Sequence, residues 1–149
     1  MNAADRRCFA DTNLLLYTLD GSNLAKQAAA LAWRDALWER RLGRLSWQVL
    51  NEFYANATGK MGAPPATARQ MVESYAQWQA VEFTLTFLQR AWHWTDQAGV
   101  DYWDALILAA AERTGCRYLL SEDFPHERRY GPMQVIDPFR VPPDEFFAS

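Results

Sequence analysis

The sequence predicts an α/β fold with three layers, α/β/α, around a short-stranded parallel sheet. Three observations carry that prediction. Short apolar runs of strand type alternate with longer segments of helical periodicity, no repeat or long linker divides the chain, and Gly or Asx residues punctuate nearly every junction. The chain has 149 residues, half of them hydrophobic and 14% aromatic, with seven tryptophans. That is enough apolar material for one core, so a single domain over 1–149 is expected, its core spanning about 7–138 and a short proline-rich tail following at 139–149.

Residues 7–10 (Arg-Cys-Phe-Ala) read as a buried strand ending at Asp11, with a small turn or helix through Tyr17. Asp20-Gly-Ser-Asn is a turn and cap before a long amphipathic helix over 24–41, on which Ala30, Trp33, Leu37 and Trp38 recur near helical spacing and which Gly43 terminates. A short strand at 44–46 leads into a helix at 48–58 capped by Gly59. A helix over about 66–77, a strand near Val81 and a helix over about 87–97 follow. The clearest helix is 101–114, with a cap candidate at its start and Gly115 just past its end. Two more strands are expected, 118–121 and 134–136.

Composition excludes several functions. The longest apolar run, 105–111, is far short of the roughly 20 residues needed to span a bilayer, and the first residues lack a signal-peptide core, so a cytoplasmic protein with no membrane contact is expected. Cys8 and Cys116 fall in no CxxC or Cys/His spacing and read as buried, reduced thiols. His93 and His126 are too far apart in sequence to suggest a nitrogen-rich metal site. A net charge of −3 argues against a protein that coats nucleic acid by bulk positive charge, yet thirteen arginines to two lysines, dense at Arg40, Arg41 and Arg44 and at Arg128 and Arg129, suit local contacts to an RNA backbone or to an acidic partner.

Four acids fall where chemistry is expected. In an open parallel sheet, ligands bind outside the carboxyl ends of the strands. Asp11 and Asp123 follow strand ends, whereas Glu52 and Asp104 lie in the first turns of helices, and all four therefore fall near that rim. Clustered carboxylates repel one another unless a cation neutralises them, and Mg²⁺ or Mn²⁺ is the hard, oxygen-preferring ion such a cluster suits. An ion of this kind activates water and neutralises charge on a phosphate. Each residue also has a plainer reading: Asp104 as a first-turn acid beside the Asp101 cap, Glu52 as a solvated helical acid, Asp123 as a turn former, and Asp11 as the start of a structural Asx turn.

The order and surroundings of these acids resemble those of PIN-domain nucleases, particularly the VapC-type toxins of bacterial toxin–antitoxin pairs. The resemblance spans nearly the whole chain. It rests on Cys8-Phe-Ala-Asp-Thr-Asn-Leu-Leu-Leu-Tyr17, Ser46-Trp-Gln-Val-Leu-Asn-Glu-Phe-Tyr54, Tyr102-Trp-Asp-Ala-Leu-Ile-Leu-Ala-Ala-Ala111 and Leu119-Leu-Ser-Glu-Asp-Phe124. It implies that Asp11, Glu52, Asp104 and Asp123 bind the metal and carry catalysis, with Thr12 or Asn13 supporting them by hydrogen bonds. It further implies an endoribonuclease using Mg²⁺ or Mn²⁺, neutralised by an antitoxin protein and often homodimeric. Asp101 is either a fifth acid or a cap, and Glu122 competes with Asp123 for the metal-facing role. Lys60 is a candidate phosphate contact and His126 a candidate RNA contact; both also read as surface residues.

Trp33, Trp38, Trp92, Trp94 and Trp103 read as core or interface, with base stacking as the alternative. Two other functions use the same acids: a housekeeping RNA-processing nuclease without an antitoxin, and a metal- or partner-binding module without turnover.

Overall fold

The computed structural model describes residues 3–148. Met1, Asn2 and Ser149, which the sequence assigns to the ends of the domain, lie outside the described residues. A five-stranded sheet has the order β2-β1-β3-β5-β4. Its members are β1 (Cys8–Ala10), β2 (Gly43–Arg44), β3 (Tyr118–Leu120), β4 (Arg129–Tyr130) and β5 (Met133–Ile136). β1 pairs in parallel with β2 and with β3, and β3 with β5. Only β4 runs antiparallel, against β5. Among the described residues seven α-helices accompany them: α1 (Thr12–Tyr17), α2 (Leu24–Arg40), α3 (Trp47–Thr58), α4 (Pro65–Tyr75), α5 (Leu85–Ala98), α6 (Tyr102–Arg113) and α7 (Pro143–Ala148).

The strand order dictates where a site forms. From β1 the chain crosses to β2 on one side, and from β3 it crosses to β5 on the other. The carboxyl ends of β1 and β3 therefore flank a topological switch point, where connecting loops diverge and leave a crevice. The Asp11 backbone N–H reaches the Leu120 carbonyl at 3.1 Å, so the last strand-like contact between β1 and β3 holds Asp11 at that crevice.

Helix boundaries follow local chemistry. Asn23, Ser46, Thr84 and Asp101 accept side-chain cap bonds at the starts of α2, α3, α5 and α6. Gly99 closes α5 at positive φ. α6 is apolar along Ala105–Ala111, all buried, and packs against α5 and β3. The small alanines let these neighbours approach closely. The core gathers Phe9, Leu119 and Val135 of the sheet with Leu14, Leu15, Trp33, Phe53 and Leu108 of the helices.

Four expectations are corrected. Gly43 does not terminate the long helix. Arg41 does, in a left-handed conformation at φ 58°, while Gly43 is a residue of β2 whose missing Cβ leaves room for the Trp78 ring. Val81 makes an isolated parallel bridge to Ser46 rather than a strand. The two-residue β4 and the helix α7 were not expected; Phe146 of α7 is buried and packs edge-on against Tyr118, so the proline-rich segment is docked. Of the tryptophans, Trp33 and Trp94 are core, whereas Trp38, Trp92 and Trp103 are exposed. Cys8 and Cys116 are buried free thiols; burial raises both, Cys116 to about 11, which leaves them protonated and unreactive. No helix among the described residues is long and apolar enough to cross a membrane.

Candidate metal centre

The four acids come from four segments and line one cavity of about 140 Å³, together with Thr12, Asn13, Gln48, Asn56, Trp103 and Ile107. Asp11 caps α1 directly after β1, its extended backbone (ψ 155°) turning the chain off the sheet. Glu52 lies in the second turn of α3. Asp104 sits in the first turn of α6, where the helix dipole favours a carboxylate. Asp123 arrives by the loop after β3, three residues beyond Leu120.

Each carboxylate except Asp104 is oriented by a neutral donor. Asp11 Oδ1 accepts from the Thr12 backbone N–H and Oδ2 from Ser121 Oγ–H, both at 2.8 Å. Glu52 Oε2 accepts from Thr12 Oγ–H at 2.8 Å and Oε1 from Gln48 Nε2–H at 3.0 Å. Asn13 Nδ2–H donates to Asp123 Oδ2 at 2.8 Å, and Ser121 Oγ accepts from the Asp123 backbone N–H at 3.0 Å. Ser121 thereby ties the acid after β1 to the acid after β3.

The electrostatics are those of an unneutralised acid cluster. Burial pushes the Asp11 carboxyl up to about 6, and the nearby charges of Asp123 and Glu52 add to the rise against the bonds from Ser121 and Thr12. Asp104 also rises to about 6, chiefly by burial and then by Asp101, Asp123 and Glu52. As the side chains stand, no group of three or more His, Cys, Asp or Glu among the described residues is arranged to hold a metal ion. The donor set nevertheless fits a hard divalent cation. It is all oxygen, lines a single cavity and carries repulsion that a cation relieves.

The remaining sequence candidates fall as follows. Asp101 is an exposed cap, its Oδ1 accepting from the Asp104 backbone N–H at 2.9 Å, and it does not line the cavity. Glu122 turns away from the cavity into an ion pair with Lys26, leaving Asp123 as the cavity-facing member of the pair. His126 also lies outside the cavity lining; its Nδ1 accepts from the Asp137 backbone N–H at 3.0 Å, and its side chain is only 13% exposed. Lys60 lies in a neighbouring groove. Gln48, Asn56 and Ser121 were missed. Gln48 stands one helical turn before Glu52, so i,i+4 spacing was the available signal; Ser121, at the end of a strand and two residues before an acid, had a weaker one.

A family model described as the PIN domain matches residues 8–131. A comparison with curated proteins finds no match. Among solved structures, the chain is similar to the sarcin-ricin loop cleaving toxin VapC20 of Mycobacterium tuberculosis, with a TM-score of 0.58 and 17% identity over 78% of this chain and 91% of that one. At that identity the likeness concerns the fold.

Proposed function

This chain belongs to the PIN-domain family, a family of nucleases, and on that premise we propose that it is a Mg²⁺- or Mn²⁺-dependent endoribonuclease acting as the toxin of a toxin–antitoxin pair. The observation that carries the proposal is the meeting of Asp11, Glu52, Asp104 and Asp123 in one cavity at the switch point of the sheet.

In this reading Asp11, Glu52, Asp104 and Asp123 hold the metal. When bound, the metal supplies a water of lowered pKa and neutralises charge developing on the scissile phosphate. The chain's other residues keep the carboxylates in place: Thr12 and Gln48 fix both oxygens of Glu52, Ser121 and the Thr12 backbone fix Asp11, and Asn13 fixes Asp123. Such outer partners commonly matter nearly as much as the ligands. RNA, an antitoxin protein and a second copy of the chain are the proposed partners.

The test is cleavage of labelled RNA by the purified protein with Mg²⁺ or Mn²⁺, with excess chelator, and with Zn²⁺ alone. Cleavage should require Mg²⁺ or Mn²⁺ and should not depend on Zn²⁺, for which the cavity offers no Cys or His. Undiminished cleavage in excess chelator would sink the proposal.

A further inference from the structure

A groove of about 460 Å³ adjoins the acidic cavity and shares Asn13 and Asn56 with it. Its volume is that of a small-molecule site, typically about 300–1,000 Å³. Leu16, Tyr17 and Met61 give it apolar surface, and Lys60 and Asp20 also line it, Asp20 Oδ1 accepting from the Ser22 backbone N–H at 3.0 Å. Lys26, the chain's other lysine, is paired with Glu122. Lys60 is exposed and has no ion-pair partner among the described residues.

Trp103 lines the acidic cavity but not the groove. It is 65% exposed, whereas Trp33 is fully buried and Trp94 is 6% exposed. So large an exposed indole beside a carboxylate cluster is not explained by packing, since tryptophan is highly buried on average. Its ring meets that of its neighbour Tyr102, centroids 5.5 Å apart at 66°, an edge contact rather than a stack.

We propose that an RNA strand is held at two subsites beside the acids, with an unpaired base stacked on Trp103 and the adjoining nucleotide seated in the groove with a phosphate at Lys60. The inference rests on the nuclease reading, because the acids fix where the scissile phosphate lies. From that point the strand has an aromatic surface within one residue of Asp104, and a cation with an apolar wall reached past Asn13 and Asn56. Stacking on an indole requires a base with a free face, as single strands and loops provide. A protein segment could use the apolar wall but has no phosphate for Lys60.

Binding is measured without cutting, using the full chain, Ca²⁺ in place of Mg²⁺, and short single-stranded RNAs carrying 2-aminopurine at successive positions. In the wild type one position should be strongly quenched. Trp103→Ala should remove that quench and weaken binding about 5- to 150-fold, the range for loss of one base–aromatic stack. Trp103→Phe should recover most of the loss, which a merely structural role would not predict for an exposed side chain. Lys60→Gln should lower the salt dependence of binding by roughly 0.7 in the log–log slope, one phosphate's worth on a single strand.

If the wild type cleaves RNA in Mg²⁺ while Trp103→Ala binds as tightly as it does, the subsite inference fails and the nuclease reading stands. If Trp103→Ala alters the oligomeric state and leaves RNA affinity unchanged, Trp103 belongs to an interface between copies and the inference is overturned. If the wild type neither binds nor cleaves RNA, both readings fall.

Discussion

Thr12 Oγ donates a 2.8 Å hydrogen bond to Glu52 Oε2, joining the first residue of α1 to the second turn of α3 across 40 positions of sequence. The same threonine offers its backbone N–H to Asp11, so one residue orients two of the four acids. Thr12→Val keeps the shape and the backbone donor but deletes the hydroxyl. Its expected effect is a loss of about 10- to 100-fold in metal affinity or activity, the usual range for an outer partner of a ligand. The stability loss should stay near ~1 kcal/mol. Thr12→Ser should restore activity. A Mg²⁺ titration of cleavage reads this directly, and an unchanged Mg²⁺ midpoint in Thr12→Val would remove Thr12 from the site.

Asp11 gives a stability prediction with a defined sign. Its carboxyl is held near 6 in the folded chain against an ordinary value of 3.8, mainly by burial. A raised carboxyl favours the folded state while both states are protonated, below about pH 4, and that advantage is lost as pH rises through about 6. For a residue only 8% exposed, a shift of about two units corresponds to something on the order of 3 kcal/mol. Asp11→Asn removes the titration and retains an acceptor for the Thr12 N–H. In excess chelator, the Asp11→Asn protein should be more stable than wild type at about pH 7.5, and the difference should shrink towards about pH 4. Urea unfolding at both pH values measures it; parallel pH dependence in the two proteins would contradict the burial argument. Cleavage should be abolished.

Asp11 and Asp123 were legible as residues of the rim because each follows an apolar strand run, and Asn23 and Asp101 as caps because capping is a local event that leaves a local mark, whereas the cap at Ser46 was hidden in what reads as a strand. What escaped was decided by tertiary contacts, some of them made across short loops and some between distant segments. Arg129 and Tyr130 form β4 only because a two-residue loop, with Gly131 at positive φ, folds them onto β5. Pro143 looked like the mark of a tail, yet proline fits a first helical turn, and Phe146 finds Trp33 and Tyr118. Trp33 and Trp38 share one helix; that one is core and the other exposed depends on how α2 meets its neighbours. His126 offered RNA contact or a surface position, and the Asp137 backbone, eleven residues on, claims its Nδ1 instead.

Gly43 tests the packing behind the site without touching it. A Cβ there would lie 2.6 Å from the Trp78 ring, which must then move against Tyr75 and Trp38. Gly43→Ala should destabilise the fold by about 1–3 kcal/mol, the usual cost of overpacking, while cleavage well below the melting temperature stays close to wild type. Thermal melts paired with activity assays separate the two effects. Wild-type stability in Gly43→Ala would mean that the indole yields freely and that β2 is not closed by this contact.

The toxin role makes the widest prediction, because it requires binding and cutting to separate in a living cell. Asp104 lines the acidic cavity, its carboxyl raised by burial and by the charges of Asp101, Asp123 and Glu52. Asp104→Ala removes one proposed ligand and leaves Lys60, Trp103 and the arginines, so RNA should still dock while metal binding weakens. Induced wild type should arrest growth and leave new cleaved ends in total RNA. Asp104→Ala, at matched soluble levels, should do neither, although it still retains RNA on capture from the same cells. The comparison isolates the chemistry, since any burden of folding, solubility or RNA sequestration is common to both proteins. Growth arrest by Asp104→Ala equal to that of wild type would trace toxicity to binding alone. Harmless accumulation of wild type with intact RNA and normal metal binding would instead leave a metal- or partner-binding module without turnover.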